Sequence, residues 1–420
     1  MRATQRAHRT IMLASCQARA SATVFALLTM ALPLPGLTIT AQFDSTITSD
    51  PQAATIQSTI QSAIATYQFN YSDNVTVAIT FQEVTTGLGA SSTYNGFYLY
   101  TDYRNALNSQ ATSDDDEAGF ATLPNTTNNP VTNDPRVRLT LPLSRALGFG
   151  DPVPSAQLTI ETCVIVVPDE PASSRSAVRQ FFSRETTHHL TGGSSIDGNP
   201  PAGQPDGVIS LNTSICNLSP AQTDPTKYSL YAVVCHEIDE VLGSGSRLDG
   251  LKNGDPAPPT IKAEDLYRFD DQTTPVRSFT TAVSAKAYFS LDGHTLLSRY
   301  NQTQGGDFGD WYSPGSGAPI PQVQDAFQTA GATPVPKLEL RVLDALGWNR
   351  VPAVVFVDFS YGGTQTGTFR QPYQTLAAGR DGVKNTGTVK FKGPQSAPTT
   401  MTINKAMSLD AIGGPVTIGQ

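Results

Sequence analysis

Hydrophobic positions along this chain change period several times, and each change marks an element. Leu37 to Phe43 alternates apolar and polar residues and predicts a strand with one buried face. Pro51 to Tyr67 switches to a four-residue spacing of Ile56, Ile60 and Ile64, which predicts an amphipathic helix. Asn74 to Val84 alternates again through Val75, Val77, Ile79 and Phe81 and reads as a second half-buried strand. A helix is expected near Tyr100 to Ser109, a strand over Arg136 to Thr140, and a short helix from Pro142 to Leu147 that stops at Gly148. Gln157 to Val167 reads as a strand closed by Pro168, Gly207 to Thr213 as a further strand, and Pro336 to Leu346 as a helix.

The run Tyr228 to Gly243 is the most informative. Pro225 suits a first helical turn, Asp224 or Thr226 a cap, and Gly243 a terminator. Tyr231 to Cys235 is apolar or nearly so, and the helix then carries His236, Glu237, Asp239 and Glu240. His236 and Glu240 are four apart, so their side chains leave the same face, with Glu237 offset by one residue. No Lys or Arg stands three or four positions away in the helix to pair with these acids. A buried carboxylate without a cation costs several kcal/mol, so a divalent metal held by His236 and Glu240 is the simplest partner. The alternative is a helix end that faces water, where the acids are merely solvated.

The His-Glu-x-x-Glu helix resembles that of the zincin metallopeptidases, which reads His-Glu-x-x-His. The resemblance implies that His236 binds zinc, that Glu237 is the general base toward the attacking water, and that Glu240 replaces the second His. A carboxylate there adds negative charge, which makes the metal a weaker Lewis acid. Gly243 matches the glycine of the metzincin extension, while Ser246 stands where that extension places its third ligand. More closely, the chain is similar to secreted bacterial zincin-like proteins that carry His-Glu-Ile-Asp-Glu-Val-Leu-Gly. The matching stretches are Gly245 to Asp249, Glu264 to Arg268, Tyr288 to Gly293, Gly305 to Trp311 and Leu343 to Trp348. The resemblance covers roughly Leu37 to Trp348 and puts Asp249 and Asp265 forward as the third ligand, ahead of Glu264. Spacing leaves both open, and His294 is the only downstream histidine. Gly207 to Thr213 would border the active-site cleft.

The amino-terminal stretch adds a location. Met1 to Arg19 holds four Arg and no acid, and Ala22 to Leu34 is almost purely apolar before Pro33, Pro35 and Gly36 break it. This is the pattern of a secretory signal over 1–36, which places the mature protein outside the cytoplasm, in the periplasm or beyond. The net charge of −8 over 420 residues, with no basic patch, argues against nucleic acid and anionic membrane as partners. Among the cysteines, Cys216 and Cys235 allow a disulfide in an oxidising compartment, and a buried free Cys235 is the competing reading; Cys163 is the third outside the signal. Asp114 to Glu117 reads as a helix cap or solvated loop ahead of a calcium site, and Gly305 to Trp311 as a structural turn ahead of a calcium loop. His188 and His189 point to different faces, as surface residues do.

Composition changes near Val351. Short strands at Val354 to Phe359, Thr388 to Lys392, Thr400 to Ile403, Met407 to Leu409 and Val416 to Ile418 look like the entry of a right-handed parallel β-helix. The expected organisation is therefore a signal (1–36), an α+β zincin-like metallopeptidase domain (37–350) and an incomplete β-solenoid-like segment (351–420). Two functions follow. One is a secreted zinc-dependent peptidase acting on protein or peptide through Glu237. The other is an inactive zincin-shaped adhesion or carbohydrate-binding protein whose partner is a cell-surface polysaccharide.

Overall fold

Strand β1 (Thr38–Phe43) pairs in parallel with β2 (Thr76–Glu83), Thr38 opposite Thr76. Helix α1 (Ala53–Asn70) connects them and buries Ile56, Ile60, Ile64 and Tyr67, the stripe that the four-residue spacing predicts. The chain is described here from a computed structural model at residues 36–150, 196–197, 203–252, 260–303, 305–313, 320–397 and 400–419. The expected leader before Gly36, the strand Gln157 to Val167, Cys163 and the histidine pair at 188–189 lie outside the described residues.

Sequence alternation does not announce the next strand, β3 (Gly89–Leu99). Its first half, Gly-Ala-Ser-Ser-Thr, carries small and polar residues on both faces, so no period of two in hydrophobicity appears. Tertiary pairing makes it a strand. It runs antiparallel to β4 (Arg136–Thr140) through Asn95–Leu99 and antiparallel to β5 (Gly207–Leu211) through Gly89–Thr93. With β6 (Ile261–Lys262) the sheet order is β1-β2-β5-β3-β4-β6, and Ile196–Asp197 pairs with β3 off this path. Helices α2 (Tyr100–Gln110), α3 (Asp114–Ala121) and α4 (Leu141–Ala146) fall between these strands in sequence. Two of the acids opening α3 have defined protein partners. Ser113 and Asp116 form a reciprocal cap, and both Asp115 oxygens take hydrogen bonds of 2.8 Å from Arg341.

Helix α5 (Leu230–Leu242) carries the His-Glu-x-x-Glu motif and starts later than its sequence suggests. Tyr228–Ser229 pairs with Cys216–Asn217, so these residues are extended, and Ser229 Oγ accepts from the Ala232 N–H as the cap. Asp224 closes a turn on Thr226 instead of capping the helix. One side of α5 meets α1, where the Tyr67 hydroxyl donates to the Cys235 carbonyl at 2.8 Å. The other side meets the sheet at glycines. A Cβ on Gly207 would lie 2.8 Å from Val241 and one on Gly89 2.7 Å from Val233. Cys216 and Cys235 are both buried and free, which settles the disulfide in favour of separate thiols. Helix α6 (Leu338–Leu346) and Trp348 close this layer, the indole donating to the Leu242 carbonyl at 2.9 Å.

Beyond Arg350 a second small core forms around Val355, Val357, Leu376, Val383, Val389 and Phe391. Strands β7 (Val354–Val357), β8 (Thr388–Lys392) and β10 (Ser408–Ile412) stack in parallel, with Val355, Val389 and Leu409 in one register column. Helix α7 (Leu376–Gly382) precedes β8, and β9 (Gln395–Ala397) pairs in parallel with β11 (Val416–Ile418). Thr400 to Ile403 is not a strand, contrary to its alternation. The rung near it begins at Ser408, where the backbone finds β8 as a partner. The architecture is mixed α+β, and Pro35–Gln420 forms one compact unit with these two cores.

Candidate metal centre

His236 and Glu240 sit one turn apart on the same face of α5, as the i, i+4 spacing requires. Asp310, from the glycine- and aspartate-rich loop 305–311, joins them. One ligand-capable atom from each of His236, Glu240 and Asp310 lies within 4.8 Å of the others. His236 Nε2 is 3.7 Å from Asp310 Oδ1 and 4.0 Å from Glu240 Oε1. These separations are too long for hydrogen bonds. They are close to the roughly 3.4 Å that separates two ligand atoms each about 2.1 Å from a tetrahedral ion.

Neighbouring residues aim the donors. His236 Nδ1 lies 3.0 Å from the Val323 carbonyl, which can only accept, so Nδ1 carries a proton and Nε2 faces the carboxylates. Ser91 of β3 donates to Glu240 Oε2 at 2.5 Å and leaves Oε1 toward His236. Sequence reasoning misses both Ser91 and Asp310. Ser91 sits on the strand that has no alternation, and Asp310 is far along the chain in a loop without a period.

The loop reaches the helix because two backbones touch. A Cβ on Gly309 would lie 2.6 Å from Gly245 Cα and 2.7 Å from Ser246 N, a contact only glycine permits. The segment Glu264 to Arg268 locks this junction. Glu264 accepts from the Gly245 N–H at 2.6 Å and the Tyr300 hydroxyl at 2.9 Å. Asp265 accepts from Ser246 Oγ at 2.5 Å and from the backbones of Arg247 and Lys262. Arg268, fully buried, donates to the Phe308 carbonyl at 2.6 Å.

The expected third ligands are thus placed otherwise. Asp265 has its oxygens committed to the turn after α5, and Asp249 accepts from the Phe308 N–H. Among the described residues neither joins the group of three, whereas Asp310 does. Asp249 remains close enough to feel Asp307 and Glu240 after burial, and is pushed up to about 7. His294 lies in a turn closed by Asp292, away from this group. Strand β3 lies over Glu237, where a Cβ on Gly89 would clash with its Oε1, and the Gly207 strand meets the same helix at Val241.

No protein-family model, curated protein or solved structure matches this chain. The chemistry is therefore read from the site alone.

Its acids crowd one another. Glu237 is 5% exposed, and burial, with Glu240 beside it, pushes its carboxyl well above the usual range. Burial does the same to Asp310, reinforced by Asp307 and Glu240. Asp239 points away from the group into the core, fully buried beside Tyr67 and Glu339. That burial pushes its carboxyl well above the usual range. A divalent cation would reverse the balance for Glu237 and Asp310 by favouring their charged forms.

These shifts set a pH dependence. Burial raises Asp73 to about 6 and Glu264 to about 7. Their folded values exceed the unfolded ones, so between about pH 4 and pH 7 the native chain binds more protons than the unfolded chain. Stability then falls as pH rises through that window. Asp292, held low by Thr295 despite its partial burial, finishes titrating below it. We expect chelator-treated protein to melt at a higher temperature at pH 5 than at pH 7 in scanning calorimetry. A Tm that climbs over that interval would contradict these burial effects. Added divalent metal should stabilise more at pH 7, since its ligands must be deprotonated.

Proposed function

We propose that this chain is a secreted, zincin-like, divalent-metal-dependent peptidase acting on protein or peptide substrates, with zinc as the ion. The observation that carries the reading is the turning of His236 Nε2 toward Glu240 and Asp310, with Glu237 on the adjacent turn position. One imidazole and two carboxylates fit zinc, and their oxygen content also suits harder divalent ions. Such an ion would supply Lewis acidity toward a peptide carbonyl and would acidify water.

The protein's own groups do the rest. Glu237, the buried carboxylate beside Glu240, takes a proton from the attacking water and returns it to the departing amide nitrogen. Ser91 fixes Glu240, and the Val323 carbonyl fixes the His236 tautomer. The parallel rungs from Val354 to Ile418 support the β-solenoid reading of the carboxy-terminal segment. The secretory signal read over residues 1–36 supports an extracytoplasmic location.

A second reading, a binding protein without catalysis, is favoured by the burial of Glu237, which is only 5% exposed. Hydrolysis decides between them. Purified protein should cleave an unfolded protein substrate, lose that activity to a chelator and regain it with zinc. Chelator-insensitive or absent cleavage across a panel of unfolded proteins would remove the peptidase proposal.

A further inference from the structure

One buried carboxylate touches neither His236 nor Asp310, yet it lies behind both. Glu339, on the closing helix α6, is 2% exposed. Its Oε1 accepts from the Trp311 indole N–H at 3.2 Å and from the Gln324 backbone N–H at 3.3 Å. Its Oε2 accepts from the Lys337 N–H at 3.0 Å. Trp311 directly follows Asp310, and Gln324 directly follows Val323, whose carbonyl fixes the His236 ring.

The two arms are joined to each other and to the helix. The Trp311 N–H donates to the Gln324 carbonyl at 2.7 Å, and the Gln324 side-chain amide donates to the His236 carbonyl at 3.3 Å. Gln328 also donates to the Val323 carbonyl, at 3.2 Å, and steadies the same acceptor. Every link is a hydrogen bond in a nearly dry setting, where an acceptor removed leaves its donors without a partner.

We propose that Glu339 is a positioning residue that sets two of the three metal ligands at once, His236 through Val323 and Asp310 through Trp311. This rests on the metal-centre reading above. Carboxylates one step removed from a metal typically hold a ten- to hundredfold share of its affinity. Here the step is longer, but one side chain serves two ligands. Asp239 faces the same carboxylate from α5, so removal of Glu339 also alters the surroundings of a second buried acid. The test therefore reads ligand geometry as well as stability.

Cobalt-substituted wild type, Glu339→Met, Glu339→Gln and Leu340→Ala would be compared for metal affinity by competition with a chelating dye, and for their visible absorption spectra. Glu339→Met keeps the bulk and deletes the acceptor. We expect it to weaken binding about ten- to hundredfold and to shift the cobalt bands. Glu339→Gln keeps an amide oxygen for Trp311 and Gln324 and should recover affinity to within about threefold of wild type. Leu340→Ala lowers stability from the same helix and should leave affinity and spectrum unchanged below its melting point. An unaltered spectrum and affinity in Glu339→Met, or an equal loss in Leu340→Ala, would overturn the positioning role. If Glu339→Met does not fold, Trp311→Phe removes one donor and keeps the ring, and an unchanged affinity there overturns it equally. Wild type that binds neither cobalt nor zinc overturns the metal centre itself and is told apart by that result.

Discussion

If the chain is the proposed peptidase, Glu237→Gln should lower peptide hydrolysis by about 10²- to 10⁴-fold and leave metal binding intact. The substitution is nearly isosteric, so Gly89, whose built Cβ would clash with Glu237 Oε1, still packs against an atom of the same size. What disappears is the group that accepts and returns a proton. The metal should be retained because His236, Glu240 and Asp310 supply the donor atoms and Glu237 is outside that group. Steady-state hydrolysis beside metal analysis checks both halves. Activity within a few-fold of wild type would remove Glu237 from the mechanism, and loss of the ion would make Glu237 a ligand.

Gly309→Ala carries the second large effect. Its methyl would sit 2.6 Å from Gly245 Cα and 2.7 Å from Ser246 N, and both are backbone atoms that Glu264 and Asp265 hold in place. The loop must therefore move, and Asp310 moves with it. Overpacking of this kind costs about 1–3 kcal/mol of stability. The displaced ligand should cost a further ten- to hundredfold in metal affinity. Gly362→Ala, whose Cβ would meet nothing within 4 Å, is the matched control. Calorimetry and metal titration on the pair would show the effect. If Gly309→Ala binds metal like wild type, the close approach is not what places Asp310.

These two residues also mark where the sequence is legible. Glu237 is readable because a helix imposes a fixed geometry: once the apolar run Tyr231 to Cys235 is recognised, His236, Glu237 and Glu240 have known relative directions. The same rule explains α1, whose Ile56, Ile60 and Ile64 all turn inward. Asp310 has no such rule. Its position depends on a backbone contact between Gly309 and Gly245, which no local pattern encodes. Acids nearer in sequence, Asp249 and Asp265, attract attention as ligands, but the chain spends them on the Phe308 N–H and on the turn after α5. Strand β3 escapes for a related reason: its small residues lie where α5 and the sheet approach closely, so packing rather than alternation selects them. The same holds for the start of α5, which Tyr228–Ser229 forfeits by pairing with Cys216–Asn217.

In the proposed centre, His236, Glu240 and Asp310 together hold one divalent ion. Elemental mass spectrometry of the purified mature protein, beside Asp310→Asn, Glu240→Gln and Asp249→Asn, tests it most directly. About one zinc per chain is expected in wild type and in Asp249→Asn, whose amide oxygen can still accept from Phe308. Little or none is expected in Asp310→Asn and Glu240→Gln. A metal-free wild type, or zinc retained at full stoichiometry in Asp310→Asn, would contradict the three-ligand centre.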